Sequence, residues 1–163
     1  EHTIEVSFKN PKNTLTIGDD VYKLQQFHFH APSENEIDGQ TYPLEGHFVY
    51  KTDNGKITVV SVLYNYGDEN QALKQIWDKM PQAANTEIEL PQPISLDDFY
   101  PEDKDYYNFE GSLTTPPCTE GVNWIVFKNQ ETVSKEQVEK FTQTLGFENN
   151  RPIQDTNGRK IKE

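Results

Sequence analysis

The most regular pattern in the sequence is an alternation of side chains over residues 21–30, VYKLQQFHFH. Because successive side chains of a β-strand point to opposite faces, this alternation predicts a strand. Five side chains would point to one face and three to the other: Tyr22, Leu24, Gln26, His28 and His30 against Val21, Phe27 and Phe29. Two histidines and a glutamine therefore share one face of the predicted strand.

Three further segments are predicted to be strands. Residues 44–51 (LEGHFVYK), 56–64 (KITVVSVLY) and 122–128 (VNWIVFK) are short runs rich in β-branched and aromatic residues. Residues 53–55 (DNG) separate the first two runs. Because asparagine and glycine tolerate positive φ, these two strands should form a hairpin.

Two helices are predicted as well. Residues 70–80 (NQALKQIWDKM) place apolar side chains at helical spacing, and a proline follows them. Ser134 with Gln137 forms a capping box for a second helix, and Gly146 stands where a C-cap glycine belongs. Four prolines within residues 81–101 favour irregular, extended chain. The predicted fold class is therefore mainly β, mostly antiparallel, with a few peripheral helices.

Length, charge and cysteine content exclude several functions. The 163 residues contain no repeat, linker or low-complexity tract, so a single domain over 1–163 is expected. The formal charge of −12 repels phosphate backbones, so nucleic-acid binding is not expected. No apolar run is long enough to span a membrane, and no signal peptide is visible, as in any trimmed chain. The single cysteine, Cys118, excludes a disulfide framework within the chain and a cysteine-rich metal site.

The candidate metal ligands are His28, His30 and His47. The first two project from one face of a strand, and the third lies on the next predicted strand. If these strands pair, three imidazoles converge and leave a fourth tetrahedral position open, as a catalytic zinc requires. Gln26 and Glu45 each lie two residues before a histidine and can accept its second ring N–H. An isolated His-x-His also fits a half-polar strand face, so the third histidine is what favours a metal site.

Four sequence blocks resemble those of a known family. They are residues 26–34 (QFHFHAPSE), 45–49 (EGHFV), 111–118 (GSLTTPPC) and 149–152 (NNRP). Together, in this order, they resemble the α-class carbonic anhydrases of the bacterial secreted type, and the resemblance covers essentially the whole chain. It implies a large, mostly antiparallel twisted sheet with zinc in a conical cleft, which agrees with the predicted strands.

The resemblance implies a zinc site and roles for the residues around it. The Zn2+ ion would have three histidine ligands and three side chains behind them: His28, His30 and His47, then Gln26, Glu45 and Asn149. Thr114 would accept a hydrogen bond from zinc-bound hydroxide and donate its own to Glu34, because a carboxylate can only accept. Thr115 would contact bicarbonate. An ordinary proline-stiffened loop and a solvated loop acid are the alternatives for Thr114 and Glu34.

A proton shuttle and an apolar wall complete the implied site. His2 aligns with the shuttle position of the family, where a group that titrates near neutrality would carry the proton away. A histidine so near the chain start also fits a frayed terminus. The wall would receive carbon dioxide beside the metal: Val49, Val59, Leu113, Val122 and Trp124. Apolar strand positions are more often plain core, although one strand face can serve both purposes.

The implied activity is the reversible hydration of carbon dioxide to bicarbonate and a proton, by attack of zinc-bound hydroxide. Sulfonamides and anions would inhibit it, a homodimer is one expected state, and the expected location is periplasmic or extracellular. An acatalytic relative is a competing hypothesis, although such relatives typically lose a zinc histidine and this chain keeps all three. A third hypothesis is a fragment that needs a complementing segment to fold, because only 33% of the residues are hydrophobic.

Several positions depart from the pattern of the family. Its members carry a segment before the position of Glu1, with a cysteine that would pair with Cys118, so the domain is expected to be N-terminally incomplete. Asn35 stands where the family usually has histidine, Phe109 where it has tyrosine, and Tyr50 where histidine is common. The first two belong, in the family, to one hydrogen-bond network behind the ligands. Because losing both partners together can be nearly neutral, we expect altered tuning and no loss of zinc.

Overall fold

Strands dominate the part of the chain that the computed structural model describes, which comprises residues 5–7, 14–37, 39–77, 87–88, 99–101, 105–113 and 120–145. These residues contain eleven strands and two helices, in the order β1 (Glu5–Ser7), β2 (Thr14–Ile17), β3 (Asp20–His30), β4 (Glu36–Ile37), β5 (Gln40–Thr41), β6 (Leu44–Lys51), β7 (Ile57–Tyr66), α1 (Gln71–Trp77), β8 (Glu87–Ile88), β9 (Tyr106–Ser112), β10 (Glu120–Phe127), β11 (Glu131–Val133) and α2 (Lys135–Leu145). The mainly β fold class is confirmed.

Nine of the strands form one mixed sheet. Its path runs β8-β1-β3-β6-β7-β10-β9, with β2 beside β3 and β11 beside β7, and β4 pairs separately with β5. Among the described strands, six pairs are antiparallel. Three pairs, β1–β8, β7–β10 and β7–β11, are parallel. The antiparallel majority was predicted, whereas periodicity along one strand carries no information on the direction of its partner.

The β6–β7 hairpin lies where the sequence predicts it. The backbone N–H of Thr52 donates to the carbonyl of Lys56 at 2.9 Å, and the N–H of Lys56 donates to the side-chain oxygen of Thr52 at 2.9 Å. Gly55 has a φ of 94°, in the left-handed region that favours glycine. The turn at residues 53–55 is therefore confirmed, and it fixes the register of two central strands.

A β-bulge in β3 corrects the predicted face assignment. The register of β3 with β6 shifts between Leu24 and Gln26, so Gln25 is an extra residue on β3. Because an extra residue reverses the alternation, the residues before it change faces. The prediction is therefore wrong for Tyr22 and Leu24, which pack with the phenylalanines of β3. It is also wrong for Val21, which is 51% exposed.

Two hydrophobic clusters use the described strands. In the larger one, the ring of Phe27 lies 5.1 Å from that of Phe48 and 5.4 Å from that of Phe99, measured between centroids. Phe141 of α2 packs into the same cluster, so the helix covers this face of the sheet. The smaller cluster is built from Tyr42, Val59, Leu63, Val122, Trp124 and Val126. Because neighbouring strand residues alternate in direction, the larger cluster leaves the histidines of β3 and β6 to the other face.

The side chain of one glutamine in α2 forms hydrogen bonds with the residue that precedes α1. The hydroxyl oxygen of Ser134 accepts from the N–H of Gln137 at 3.2 Å, and the side-chain oxygen of Gln137 accepts from the N–H of Ser134 at 3.1 Å, which confirms the capping box. The same amide accepts from the N–H of Asn70 and donates to its carbonyl, both at 2.9 Å. α1 lies within the predicted segment, whose last three residues, like Gly146, lie outside the described residues. Neither described helix has the length and apolar character needed to cross a membrane.

Seven strands were not predicted from the sequence. Six of them, β1, β2, β4, β5, β8 and β11, are two to four residues long, too short to display a period. β9 is longer, but most of its side chains are half-buried or exposed, and its sequence YYNFEGS shows no clean alternation. The unpredicted strands lie in the outer parts of the large sheet or in the separate β4–β5 pair. Packing against neighbours decides the structure of such strands more than their own sequence does.

Tyr64 on β7 tests how an unsatisfied buried hydroxyl affects the stability of the fold. Its hydroxyl is buried and has no hydrogen-bond partner within the described part of the chain, and burial raises the pKa of Tyr64 far above its usual value. Because an unsatisfied buried hydroxyl costs about 1–3 kcal/mol, Tyr64→Phe should raise the free energy of unfolding by about 1 kcal/mol. Urea denaturation at an unchanged m-value measures this difference.

Tyr50→Phe is the matched control for that substitution. The hydroxyl of Tyr50 lies 2.7 Å from the hydroxyl of Tyr100, so the same chemical change removes a hydrogen bond here. This variant should lose about 1 kcal/mol of stability. A Tyr64→Phe protein no more stable than the wild type would contradict the account of Tyr64 as an unsatisfied group.

Candidate metal centre

Three buried histidines converge at the centre of the sheet. In the β3–β6 register His28 lies directly opposite His47, and His30 follows two residues along β3 on the same face. One ring nitrogen from each lies within 4.8 Å of the other two. The ring centroids are 4.7 to 5.4 Å apart. The strand pairing assumed in the sequence analysis is therefore present, and it brings the three imidazoles together.

Hydrogen bonds assign a tautomer to two of the three rings. The Nδ1 of His28 lies 2.7 Å from the side-chain oxygen of Gln26, and the Nε2 of His47 lies 3.1 Å from Oε2 of Glu45. An amide oxygen and a carboxylate can only accept, so both of these ring nitrogens carry hydrogen. In the neutral form of each ring, the other nitrogen then has its lone pair available. Gln26 and Glu45 thus lie where the sequence analysis placed them.

Glu45 is a fully buried carboxylate with four donors besides His47. Its Oε1 accepts from the backbone N–H of Glu34 at 2.7 Å and of Asn35 at 2.9 Å. Its Oε2 accepts from the side-chain amide of Asn35 at 2.5 Å and from the hydroxyl of Ser61. These donors compensate the cost of removing the charge from water. Ser61 was not predicted from the sequence, although a single serine within the run VVSVLY was a signal.

The charges of the cluster differ from one histidine to the next. Burial, followed by the neighbouring imidazoles of His30 and His47, holds the pKa of His28 well below its usual value, so this ring is neutral at pH 7. Burial opposes protonation of His47 too, but Glu45 and then Glu34 outweigh it and raise the pKa of His47. Burial also disfavours the charge of Glu45, yet His47 and the hydrogen bonds lower its pKa. In the absence of a metal, His47 and Glu45 therefore each favour the charged form of the other.

Glu34 brings a second carboxylate to the histidines. It is buried, and its Oε1 lies 3.3 Å from Nε2 of His30 and 3.8 Å from Nδ1 of His47. A solvated loop acid, the alternative considered from the sequence, is therefore excluded for Glu34. The residue lies on the loop after β3, where its backbone N–H is held by Glu45.

An apolar cavity of about 90 Å³ opens beside the histidines. It is lined by Gln26, His28, His47, Val49, Ile57, Val59, Leu113 and Trp124. Four of the five predicted wall residues are among these, and the fifth, Val122, packs in the same cluster as Val59 and Trp124. Ile57 was not predicted, because the wall was assigned by resemblance to the family; it lies two residues before Val59 on β7 and so shares its face.

Trp124 connects the wall to a histidine ligand candidate. Its ring lies edge-on to that of His47 at 4.9 Å and is stacked on that of Phe109 at 6.1 Å, with 2° between the planes. Its indole N–H donates to the carbonyl of Ser112 at 3.0 Å. A Cβ added at Gly111 would lie 3.0 Å from the indole ring, so a larger residue there would press on the ring.

The donor set of this cluster fits zinc. Three imidazole nitrogens with a fourth position left open are the ligands of catalytic zinc sites, and acceptors behind two of the rings direct their lone pairs. Softer metals favour cysteine, and the harder Mg²⁺ and Ca²⁺ favour oxygen ligands. The geometry therefore indicates a centre for zinc or a similar divalent transition metal.

Comparison with known proteins agrees with this geometry. The family description "Eukaryotic-type carbonic anhydrase" matches residues 1–163. The chain belongs to this family. It is 48% identical to a carbonic anhydrase of Neisseria gonorrhoeae over 99% of its own length and 64% of that protein, and 46% identical to one of Pectobacterium carotovorum over 98% and 65%. It therefore spans somewhat less than two thirds of these relatives.

Solved structures of the carbonic anhydrase family give the same result. The α-carbonic anhydrase of Thermovibrio ammonificans, in complex with the inhibitor sulfanilamide, superposes with a TM-score of 0.94 at 45% identity. The match covers 99% of this chain and 71% of that one. The expected α-carbonic anhydrase architecture is thus confirmed.

The three departures from the carbonic anhydrase pattern now have structural explanations. We expected Asn35 and Phe109 to remove a hydrogen-bond network together, and this is wrong for Asn35, whose amide donates to Glu45. Phe109 lacks the hydroxyl of a tyrosine, and its ring is stacked on that of Trp124. Tyr50 lies in the larger hydrophobic cluster, away from the histidines.

Several residues assigned by resemblance to the carbonic anhydrases lie outside the described residues. They are His2, Thr114, Thr115, Cys118 and Asn149. Their roles stay predictions: His2 as the proton shuttle, Thr114 as the partner of hydroxide, Thr115 as a contact of bicarbonate, Cys118 as one half of a disulfide, and Asn149 as the support of a ligand. The described part of the site is therefore the metal cluster, the residues behind it and most of the apolar wall.

Removal of one ligand candidate tests the metal site. The wild type should retain about one zinc per chain after dialysis, whereas His30→Ala should bind zinc at least about 100-fold more weakly, because loss of a ligand exceeds the 10–100-fold effect of an outer residue. Competition with a chelator, followed by elemental analysis, measures both. His2→Ala, which removes the fourth histidine, is the control and should keep its zinc. Equal zinc affinity in His30→Ala and the wild type would exclude the cluster.

Proposed function

We propose that this chain catalyses the reversible hydration of carbon dioxide to bicarbonate and a proton at a zinc ion held by His28, His30 and His47. The observation that carries the proposal is the position of the histidine cluster directly beside an apolar cavity. The relatives named carbonic anhydrase support it at 46–48% identity.

The residues behind the histidines would keep the ligand nitrogens in place. Zinc, when bound, supplies a Lewis acid that makes a nucleophile of water near neutral pH. Gln26 holds Nδ1 of His28 and Glu45 holds Nε2 of His47, so each ring would present its other nitrogen to the ion. Because these rings need no reorientation when the ion enters, the site is preorganised for three-nitrogen coordination.

The apolar wall would bind carbon dioxide. The cavity of about 90 Å³ exceeds the roughly 10–15 Å³ that a single water molecule needs, so a linear triatomic molecule fits. Val49, Val59 and Leu113 offer neither a hydrogen-bond donor nor an acceptor, so water against this side of the cavity would find no partner there. The wall would therefore favour an apolar substrate over water next to the metal.

Proton handling would involve residues on and beyond the described part of the chain. Glu34, buried against the histidines, would accept a hydrogen bond from Thr114, which would then act as an acceptor towards the nucleophile. Thr115 would contact bicarbonate, Asn149 would support a ligand, and His2 would carry the proton to solvent. A periplasmic or extracellular location and a homodimer complete the proposal.

Stopped-flow measurement of carbon dioxide hydration by the purified chain, before and after zinc loading, tests the proposal. We expect zinc-dependent activity that sulfanilamide abolishes; the related Thermovibrio enzyme binds that inhibitor. Zinc binding without activity would overturn the proposal in favour of an acatalytic zinc-binding protein. A chain that melts without cooperativity would instead identify a fragment that needs a complementing segment.

Enlarging one wall residue separates substrate binding from metal binding. Val49 is half-buried and lines the cavity, so Val49→Phe would fill the cavity without overpacking the core. We expect kcat/KM for hydration to fall at least about tenfold, or about 1.4 kcal/mol, with unchanged zinc content. Val49→Ala, which leaves the cavity open, is the matched control and should stay within about threefold of the wild type. If Val49→Phe were as active as Val49→Ala, carbon dioxide would have to bind elsewhere.

A further inference from the structure

The two oxygens of Glu45 receive different kinds of donors. Oε1 is held by two backbone N–H groups, those of Glu34 and Asn35. Oε2, which contacts His47, is held by two side chains from separate elements, the amide of Asn35 after β3 and the hydroxyl of Ser61 on β7. The oxygen that fixes the histidine is therefore the one that side chains control.

Ser61 is a polar exception in a buried apolar strand. It lies directly opposite His47 in the β6–β7 register, has no exposure to solvent, and is flanked by the buried residues Val60 and Val62. A buried hydroxyl is costly unless it forms a hydrogen bond, and alanine would pack here without that cost. The hydrogen bond to Glu45 satisfies the hydroxyl. Because Ser61 lies on the strand next to that of His47, it reaches the carboxylate that contacts this histidine.

The backbone donors already fix Oε1 of Glu45, so the side-chain donors to Oε2 have a separate effect. Held only at Oε1, the carboxylate could still pivot about that oxygen through small changes in the side-chain torsions of Glu45, and this pivot would move Oε2 relative to Nε2 of His47. The amide of Asn35 and the hydroxyl of Ser61 approach Oε2 from two elements and restrict that pivot. The orientation of the His47 ring, and with it the direction of Nδ1, depends on this restriction.

We propose that Ser61 and Asn35 are positioning residues of the metal centre, which act through Oε2 of Glu45 to keep Nδ1 of His47 directed at His28 and His30. The inference rests on the proposed function insofar as the cluster binds zinc. Neither residue is a ligand candidate, and neither lines the cavity. Their effect would be on the rate at which the centre loses its metal.

The test measures zinc release from the full chain into an excess of a coloured chelator. Ser61→Ala and Asn35→Ala should each release zinc about tenfold faster than the wild type, at the lower end of the range for residues behind metal ligands. The cobalt(II)-loaded variants should show an altered visible absorption spectrum, because the position of one ligand changes. A loss of stability alone would not alter this spectrum.

Thr58→Val is the matched control. Thr58 is a buried hydroxyl residue on the same strand, within 3.4 Å of the side-chain amide of Asn123 and without a hydrogen bond to Glu45. It should release zinc at the wild-type rate with an unchanged cobalt spectrum. If Ser61→Ala proves too unstable to load, Asn35→Ala, at a half-buried loop position, carries the same test.

The outcomes separate this inference from the proposed function. Zinc release within about twofold of Thr58→Val, with unchanged cobalt spectra, would overturn the positioning role while leaving the metal centre intact. A wild type that retains no zinc would overturn both. The role would be established if Ser61→Ala and Asn35→Ala both release zinc faster and have altered cobalt spectra, while Thr58→Val behaves like the wild type.

Discussion

The pairing register of β3 with β6 is the constraint on which the site depends. Because side chains alternate along a strand, a slip of one residue would turn His47 away from His28. The opposite face prevents such a slip, since it buries Phe27, Phe29 and Phe48 completely. Exposing even one of these rings would cost about 1.5–3 kcal/mol. The aromatic core therefore holds the polar cluster in place without touching it.

The sequence could predict those parts of the fold and site that follow from local periodicity. The alternation around His28 and His30 gave the strand, and the turn at residues 53–55 gave the hairpin that presents His47. Glu45 was predicted behind His47 because residues two apart on a strand share a face. Each of these inferences needs only a few neighbouring residues.

The features that escaped prediction depend on distant parts of the chain. The bulge at Gln25 arises from the match between β3 and β6, and local alternation gave the opposite phase for the residues before it. The hydrogen bond from Ser61 to Glu45 joins residues 16 positions apart on neighbouring strands. Asn35 could be recognised as a departure from the family, but its contact with Glu45 follows only from the path of the loop after β3.

Charge balance connects the buried acids to the metal. Two carboxylates, Glu34 and Glu45, are buried among three imidazoles, and isolated buried charges of one sign are costly. In the metal-free protein the raised pKa of His47 favours a proton, and so a positive charge, between them. A divalent cation with three neutral imidazole ligands would balance both carboxylates and displace that proton. The site is thus one in which a proton and a metal compete for the same nitrogen, and acid should favour the proton.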